Sequence, residues 1–377
     1  MKLAIIGAGY MGKVIAERAK EMGVETHCFA WEKGAVAKPF CDYFYPISVF
    51  EQRDILKKCK EIGIDGVISA SEISIITAAY VAENLGLVGN SVKASTEIRN
   101  KYYQREKTKR IEDISTIQYE RIVDESDIDR IKIEFPCILK PVDGGGKVGV
   151  SVTYSEQELR AAFKENISRF SEFLVEEYIE GGKEYSVETI TYKGVTYVIQ
   201  LTDKVSSGPP YNVELAHHQP ADIGMELRDR IERSVQKIIS NLGIKNGPCH
   251  TEIKVKNNDI YLIEVNGRLG GDHIAYPLTE LSTGYPYISS VIAVALGIFN
   301  PKDIKLENGG YASVYFVVEQ TKYLKPILDN CKEKDWCYEC NKVSNELIEL
   351  KENDGFRINY FIYYSKNKRP NFNERWD

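Results

Sequence analysis

The most informative pattern in this chain lies at residues 250–268, which read HTEIKVKNNDIYLIEVNGR. Two runs of alternating apolar and polar residues flank the turn residues 257–259, and this arrangement predicts a β-hairpin. A register that pairs Lys256 with Ile260 places Glu252 directly opposite Glu264, with Cβ atoms roughly 5 Å apart. If the register slips by one residue, the pair is broken and both acids become ordinary surface residues.

The two faces of this hairpin differ in chemistry. Alternation predicts that one face packs toward a core, and its residues are Ile253, Val255, Ile263 and Val265. The other face carries Glu252, Glu264 and Asn266. Facing carboxylates repel each other unless a cation lies between them. Two carboxylates and an amide oxygen suit Mg²⁺ or Mn²⁺ rather than zinc, so the hairpin predicts a divalent metal site.

The composition places the chain among cytoplasmic α/β proteins of more than one domain. Of the 377 residues, 43% are hydrophobic and 28% charged, and the formal net charge is −6. A negative chain lacks the basic surface that nucleic-acid binding requires. We expect no membrane partner either, because no apolar run reaches the roughly 18 to 20 residues that span a bilayer. Eight scattered cysteines indicate buried thiols in a reducing compartment rather than disulfides.

The N-terminus has the pattern of a βαβ unit. An apolar strand at residues 2–6 runs into a turn with Gly7, Gly9 and Gly12, then a helix to about residue 22 and a second strand over 25–31. The glycine spacing matches the dinucleotide fingerprint, so an NAD-dependent oxidoreductase is one alternative. Glu32 is the only acid placed to hold a ribose. Strand-to-helix packing alone also favours such a turn. The alternation of strands and helices ends near residue 95.

A glycine-rich loop follows a second apolar strand. Residues 134–141 end in Lys140 and a proline, and Gly144, Gly145 and Gly146 come directly afterwards. Three consecutive glycines lose much backbone entropy on folding, which a phosphate held by their N–H groups would offset. A loose hairpin turn is the plainer explanation. Lys140 favours the phosphate site, because its ammonium would reach the same phosphates.

Two polar stretches are less specific. Residues 96–129 are rich in charge and by themselves predict a solvated helix. Residues 173–188 show two strand patterns around a glycine turn, with carboxylates suited to a purine and its ribose.

Together these motifs resemble the ATP-grasp superfamily over most of the first 300 residues. The resemblance implies an α/β fold with an N-terminal Rossmann-like parallel-sheet domain at 1–95, whose glycine turn does not bind NAD. It implies an ATP-grasp domain at 96–300, with a small lid subdomain at about 115–190. A β-rich C-terminal cap at 301–377 would complete the substrate pocket.

The resemblance also implies roles for individual residues. Lys101 and Lys140 match the lysines that contact the phosphates of ATP, and Gly144–Gly146 match the phosphate loop. The residues at the adenine and ribose end are Glu176, Glu177, Ile179 and Glu184. Glu252, Glu264 and Asn266 match the ligands of Mg²⁺ or Mn²⁺. Arg268 matches the catalytic arginine that steadies the transferred phosphate.

Within the superfamily, residues 268–274 and 282–285 resemble carboxylate–amine ligases that act on amino acids. Arg268, Gly270 and Gly271 would receive a substrate carboxylate, and His217 lies in a segment near the acceptor site. The implied reaction uses ATP to form an acylphosphate, which an amine attacks. Small carboxylates and amines are the implied substrates, and a homodimer is the common arrangement in similar enzymes. A carboxylase-type enzyme that activates bicarbonate and a silent nucleotide sensor remain as alternatives.

The C-terminal segment contains Cys331, Cys337 and Cys340. A structural zinc site needs four ligands, and neither cysteine nor histidine occurs in the last 37 residues. We therefore interpret this segment as part of the β-rich cap, and we assign no role to the cysteines.

Overall fold

The computed structural model describes residues 1–209, 211–351 and 358–372. In these residues the strands form three sheets, and a cleft lies where the three parts of the molecule meet. No helix in the described residues is long and apolar enough to cross a membrane.

The N-terminal sheet is parallel and has the strand order β3-β2-β1-β4. Its strands are β1 (Lys2–Ile6), β2 (Glu25–Phe29), β3 (Tyr43–Tyr45) and β4 (Gly66–Ser69). Its helices are α1 (Tyr10–Glu21), α2 (Gln52–Ile62) and α3 (Ile75–Leu85). This arrangement confirms the predicted Rossmann-like unit, in which the carboxyl ends of the strands share one edge.

Packing explains the glycine turn after β1. A Cβ atom at Gly12 would lie 2.5 Å from the carbonyl oxygen of Gly7, and Gly7 itself has a φ of +111°. Only glycine allows the first turn of α1 to approach the strand so closely. Glu32, the acid that the dinucleotide alternative needs, is an exposed residue whose carboxylate lies 2.5 Å from the Lys38 ammonium.

Two helices connect this unit to the next. They are α4 (Val92–Arg99) and α5 (Lys101–Thr108). The domain boundary predicted at residue 95 falls inside α4.

The lid sheet is small and antiparallel, with the order β5-β8-β6-β7. Its elements are β5 (Tyr119–Ile122), β6 (Cys137–Pro141), β7 (Ser151–Thr153), α6 (Glu156–Asn166) and β8 (Phe173–Glu177). The glycine loop joins β6 to β7. The next strand, β9 (Lys183–Tyr192), already belongs to the central sheet, although the predicted lid extends to about residue 190.

The central sheet has eight strands in the described residues, in the order β13-β12-β9-β10-β11-β14-β16-β15. Its other strands before residue 301 are β10 (Val195–Ser206), β11 (Glu214–Gln219), β12 (Gly247–Lys256) and β13 (Asp259–Asn266). The helices of this region are α7 (Met225–Asn241), α8 (Thr279–Thr283) and α9 (Tyr287–Ala295). Isoleucines of α7, including Ile231 and Ile238, pack against Leu262 and Val265 of β13 in one core cluster.

The C-terminal strands extend this same sheet. They are β14 (Tyr311–Phe316), β15 (Cys337–Asn341) and β16 (Tyr360–Ser365), with α10 (Lys325–Asn330) between the first two. Strand β14 pairs with β11, so the predicted cap is continuous with the central sheet. Residues 352–357 and 373–377 of the predicted cap lie outside the described residues.

Candidate active site

The hairpin β12–β13 places two carboxylates opposite each other, but not in the predicted register. Lys256 pairs with Asp259, not with Ile260, and a β-bulge between Glu252 and Ile253 shifts the pairing by one residue. Glu252 therefore still faces Glu264. The bulge adds a residue to β13, bends the strand and reverses its alternation at that point.

Ile263 is the residue whose placement the bulge changes. The predicted core face is correct for Ile253 and Val265, which are 1% and 0% exposed. It is wrong for Ile263, because the bulge turns this side chain into the cleft wall and Leu262 takes the core position.

Each facing carboxylate has its own cation. The Lys101 ammonium lies 2.9 Å from Glu264 Oε1, and the Lys204 ammonium lies 2.8 Å from Glu252 Oε2. His250 Nε2 lies 3.2 Å from Glu252 Oε1. Asn266 is buried on the same face of β13, opposite His250. Strong positive charge around two acids is the environment expected where a metal and a polyphosphate would bind together.

The oxygen donors present fit a hard divalent ion. Among the described residues there is no group of three His, Cys, Asp or Glu side chains that could hold a metal. The predicted set instead has two carboxylates and one amide. Magnesium typically takes one or two carboxylates and completes its shell with phosphate and water oxygens. The two facing acids therefore match a metal bound together with a nucleotide.

Helix α5 is buried, and the predicted solvated helix is wrong here. Gln104 is fully buried, where its amide accepts from the N–H of Val265 and donates to the Val265 carbonyl oxygen. Arg105 is 4% exposed and donates to both carboxylate oxygens of Glu176, at 2.7 and 3.1 Å. The polar sequence of α5 reflects buried partners, not solvent.

Glu176 lies on β8 with its carboxylate turned toward cations. Lys140 Nζ lies 2.5 Å from Glu176 Oε2, on the same carboxylate that binds Arg105. Burial opposes ionisation of Glu176, but Arg105 and Lys140 outweigh it and lower the pKa of this carboxyl. The adenine contact expected of Glu176 stays a prediction. In this structure its side chain joins α5 to the lid and contacts Lys140.

Burial has a large effect on Lys140 itself. It lowers the pKa of the Lys140 ammonium to about 8, although Glu176 opposes the shift. Burial also disfavours the charged form of Lys101, but Glu264 and Glu72 outweigh it and raise the pKa of that lysine. The two lysines predicted to contact phosphates therefore differ in how readily they lose a proton.

The glycine loop contacts both neighbouring parts of the molecule. Lys101 Nζ donates to the carbonyl oxygen of Gly144 at 2.6 Å. Gly145 lies against the carboxylate of Glu72 in the N-terminal domain, where any Cβ would collide with Glu72 Oε2. Lys147 forms an ion pair with Glu214 at 3.0 Å. The loop therefore covers the cleft with contacts to the N-terminal domain and to β11.

A second polar group lies behind Arg268. Arg268 Nη2 is 3.6 Å from Glu72 Oε2, and Arg268 Nη1 donates to the Leu269 carbonyl. The N–H of Gly270 donates to Glu188 Oε2 at 3.1 Å, and Glu188 is fully buried against His250. The Gly270 N–H, which is predicted to receive a substrate carboxylate, donates to Glu188 in this structure, and its substrate role stays a prediction.

The structure brings most of the predicted residues into one cleft. The predicted residues that line it are Lys101, Lys140, Gly144, Gly145, Gly146, Glu176, Glu177, Ile179, Glu184, His217, Glu252, Glu264, Arg268 and Gly271. Gly270 and Asn266 are not among the lining residues; Gly270 precedes the lining residue Gly271, and Asn266 lies two residues from both Glu264 and Arg268. The roles of all these residues remain predictions.

Several cleft residues were missed by the sequence analysis. They are Lys147, Lys204, Glu214, His250 and Lys254. Lys204 lies between Glu214, at 3.2 Å, and Glu252, and burial does not prevent these acids from raising its pKa. Lys254 lies 3.4 Å from Glu184 at the other end of the cleft. A lysine within the long strand pattern of β10 was the available signal for Lys204.

Comparisons with known proteins agree with this arrangement. Residues 133–276 match the ATP-grasp domain family. The chain is 26% identical over 325 residues to a formate-dependent phosphoribosylglycinamide formyltransferase of Sulfurisphaera tokodaii, covering 83% of this chain and 80% of the relative. It is 26% identical over 265 residues to a D-alanine–D-alanine ligase of Fervidobacterium nodosum, covering 64% and 78%.

The fold is also shared with solved structures. The crystal structure of an L-amino acid ligase from Bacillus licheniformis superposes with a TM-score of 0.82 at 22% identity, covering 97% of this chain and 94% of that one. Together with the glycine loop and the facing acids, these matches indicate an ATP-dependent enzyme. Residues 133–276 therefore form an ATP-grasp domain, as the sequence motifs predict.

Proposed function

We propose that this protein is an ATP-dependent carboxylate–amine ligase with an amino acid as one substrate. The observation that carries the proposal is the pair Glu252 and Glu264, which face each other across β12 and β13 in a cleft lined by lysines and a glycine loop. The relatives support it, since one is named for a reaction that depends on formate, a carboxylate, and another for joining two D-alanines.

The phosphate end of ATP would lie between the lid and the hairpin. Lys101 and Lys140 would contact the phosphates, together with the N–H groups of Gly144–Gly146. Glu252, Glu264 and Asn266 would hold Mg²⁺ or Mn²⁺, which supplies charge neutralisation to the phosphates when bound. Lys101 and Lys204 already contact the two acids, so these ammonium groups lie where polyphosphate oxygens would need them.

The adenosine end would lie in the apolar part of the cleft. Aliphatic side chains from β6, from β13 and from the segments between strands line it, and they are Ile117, Ile138, Val148, Ile179 and Ile263. Aliphatic walls suit the faces of a purine, with a few polar groups to fix its orientation. Glu184 would accept from the ribose hydroxyls, and Lys254 at 3.4 Å keeps this carboxylate in place.

The reaction follows from these placements. An oxygen of the substrate carboxylate attacks the γ-phosphorus, the bond to the β,γ-bridging oxygen breaks, and ADP and an acylphosphate form. The amine nitrogen then attacks the acyl carbon, phosphate leaves, and the nitrogen loses a proton to give the amide. Arg268 would offset charge on the transferring phosphoryl group and on the tetrahedral oxyanion. The chain needs no nucleophilic Ser or Cys for either step.

An acylphosphate is lost to hydrolysis if water reaches it. The glycine loop lies over the cleft and is held by Lys101 on one side and by the contact of Gly145 with Glu72 on the other. We expect these contacts to exclude water while the intermediate exists.

The experiment that tests the proposal is a phosphate-release screen with ATP, Mg²⁺ and pairs of amino acids or small carboxylic acids, with products identified by mass spectrometry. Hydroxylamine in place of the amine should trap the acylphosphate as a hydroxamate. Glu264→Gln should reduce turnover at least about 100-fold while its thermal unfolding stays close to wild type. Glu346→Gln, an exposed carboxylate on the C-terminal segment, is the matched control.

Two results would contradict the ligase. Full turnover in Glu264→Gln would remove the metal assignment. Phosphate release that requires bicarbonate and gives a carboxylated product would identify the carboxylase-type alternative. Small molecules as substrates follow from the ligase assignment, whereas a homodimer and a cytoplasmic location remain predictions for this chain.

A further inference from the structure

A group of aromatic side chains surrounds one carboxylate beside the cleft. We call it the aromatic box, and its members are Tyr10, His273, Tyr276, Tyr338, Tyr360 and Glu339. Tyr10 begins helix α1, Tyr338 and Glu339 lie on β15, and Tyr360 begins β16. The box therefore joins the N-terminal domain to the C-terminal strands, and it uses several tyrosines of the C-terminal segment.

The contacts within the box are close. The rings of His273 and Tyr360 have centroids 4.4 Å apart, and those of Tyr10 and His273 are 5.4 Å apart. The Tyr360 hydroxyl donates to Glu339 Oε1 at 2.5 Å. Burial raises the pKa of Tyr10, and the nearby Glu339 carboxylate raises it further, so this carboxylate acts on Tyr10 as well.

The loop after Arg268 connects the cleft to the box, whose members do not themselves line the cleft. Gly271 and Asp272 line the cleft, and the next residue, His273, is a member of the box. Asp272 and His273 both have a positive φ, at 51° and 66°, which is uncommon for residues other than glycine. This backbone carries the chain from the catalytic arginine directly into the box.

The charge of the box favours a cation. Among the described residues no lysine or arginine forms an ion pair with Glu339. Charged residues near the box include Arg18, whose guanidinium lies 5.9 Å from the Tyr276 ring and pairs with Glu280 at 2.8 Å, and Glu17, which acts on Tyr10. Tyrosine faces and a carboxylate together attract an ammonium or guanidinium group.

The box is also open to solvent on one side. Tyr10 is 40% exposed and Tyr338 is 46% exposed, whereas Glu339 is half-buried between them and Tyr360. A cation that enters over these two rings would reach Glu339 without displacing a buried side chain.

We propose that the aromatic box binds the cationic side chain of a basic amino acid, so that one substrate of this enzyme is a lysine-like or arginine-like molecule. The inference rests on the proposed ligase function, since it places the reacting carboxylate or amine of that substrate near Arg268 and its distant cation against Glu339. Glu339 and Tyr10 would then determine specificity and take no part in the chemical steps.

The test compares matched substrates with and without the charge. Lysine is compared with norleucine, and arginine with citrulline, in the phosphate-release assay, using the wild-type protein and Glu339→Gln. We expect wild type to prefer the cationic member of each pair. We expect Glu339→Gln to raise KM for lysine about tenfold, with KM for norleucine and kcat unchanged. Tyr10→Leu should act in the same direction, and Glu346→Gln should behave as wild type.

Equilibrium binding separates a failure of the box from a failure of the ligase. Calorimetric titration of lysine into the protein with Mg²⁺ and a non-hydrolysable ATP analogue requires no turnover. Binding that Glu339→Gln weakens, with no turnover for any pair, would support the box and contradict the ligase. Turnover with no difference between lysine and norleucine, or an equal loss for both in Glu339→Gln, would overturn the box and leave the ligase standing.

Discussion

Lys140 and Arg105 share one buried carboxylate, and this sharing decides how Lys140 responds to pH. Because Arg105 already neutralises Glu176, burial dominates at Lys140 and lowers its pKa to about 8. Lys101 contacts Glu264 without a competing arginine, and its pKa is raised instead. The pKa values of the two lysines therefore differ because Glu176, the partner of Lys140, also binds an arginine, whereas Glu264 pairs with Lys101.

Nucleotide affinity should depend on pH through Lys140. A triphosphate binds the protonated lysine and raises its pKa, so affinity is full below about pH 8 and falls as pH rises through that value, by at most about tenfold per pH unit. Calorimetric titration of an ATP analogue with Mg²⁺ from pH 6.5 to 9.5 measures this. Lys140→Arg, which cannot lose its proton in this range, should bind with little change. A flat profile in the wild-type protein would show that Lys140 is not the group that titrates.

At the scale of elements, the β-bulge in the hairpin determines which of two neighbouring apolar residues, Leu262 or Ile263, packs in the core. Leu262 is 2% exposed in the core beneath α7, whereas Ile263 lies in the cleft wall. In a regular strand, Leu262 would lie on the cleft face with Glu264, and Ile263 would lie on the core face with Val265. The bulge exchanges Leu262 and Ile263, so that Ile263 and Glu264 both face the cleft. The bulge is therefore what allows an apolar contact and a carboxylate to follow each other in the cleft.

Substitution by asparagine distinguishes these two positions. Leu262→Asn should lower the free energy of unfolding by about 3 kcal/mol, because it removes core packing and buries an amide. Ile263→Asn should change stability by about 1 kcal/mol or less and raise KM for ATP severalfold. Urea unfolding and ATP saturation curves measure the two effects. Equal destabilisation by both changes would place Ile263 in the core and remove the bulge from the explanation.

Local sequence patterns predicted which helices and strands form more accurately than they predicted which residues are buried. The βαβ opening, the glycine loop and the hairpin all follow from residues that are near one another in sequence. The bulge does not, because strand β12 also pairs with β9, which fixes its register from the other side. The burial of α5 was missed because its partners lie far away, with Glu176 71 residues from Arg105 and Val265 161 residues from Gln104.

The predicted site shows the same limit. Residue types with an obvious chemical role, such as Glu252, Glu264 and Arg268, were found by spacing and by resemblance. Gly270 was given a substrate role, but its N–H binds Glu188, and a Cβ there would lie 2.7 Å from Glu188 Oε1. Glu188 comes from the middle of β9, where nothing in its neighbours marks it as a partner of that glycine.

At the scale of the whole molecule, the cleft depends on contacts between parts that are distant in the chain. Glu72 comes from the N-terminal domain, yet it lies against Gly145 in the lid loop and 3.6 Å from Arg268. Burial and Glu264 raise the pKa of the Glu72 carboxyl, so it lies close to the predicted metal ligands as well. One side chain therefore links the N-terminal domain, the glycine loop and Arg268, the predicted catalytic arginine.

This link predicts coupling between Gly145 and Glu72. Gly145→Ala should weaken binding of an ATP analogue with Mg²⁺, because the new Cβ collides with Glu72 Oε2, and either the loop or this carboxylate, which also lies 3.6 Å from Arg268, must shift. Glu72→Ala removes that obstacle, so Gly145→Ala should weaken binding much less in a Glu72→Ala background. We expect a coupling free energy of about 1 kcal/mol in the double-mutant cycle. Gly224→Ala, at a glycine with open space around it, is the control for a change of glycine to alanine. Strictly additive effects would mean that the N-terminal domain does not hold the loop, and that the lid closes over ATP independently of it.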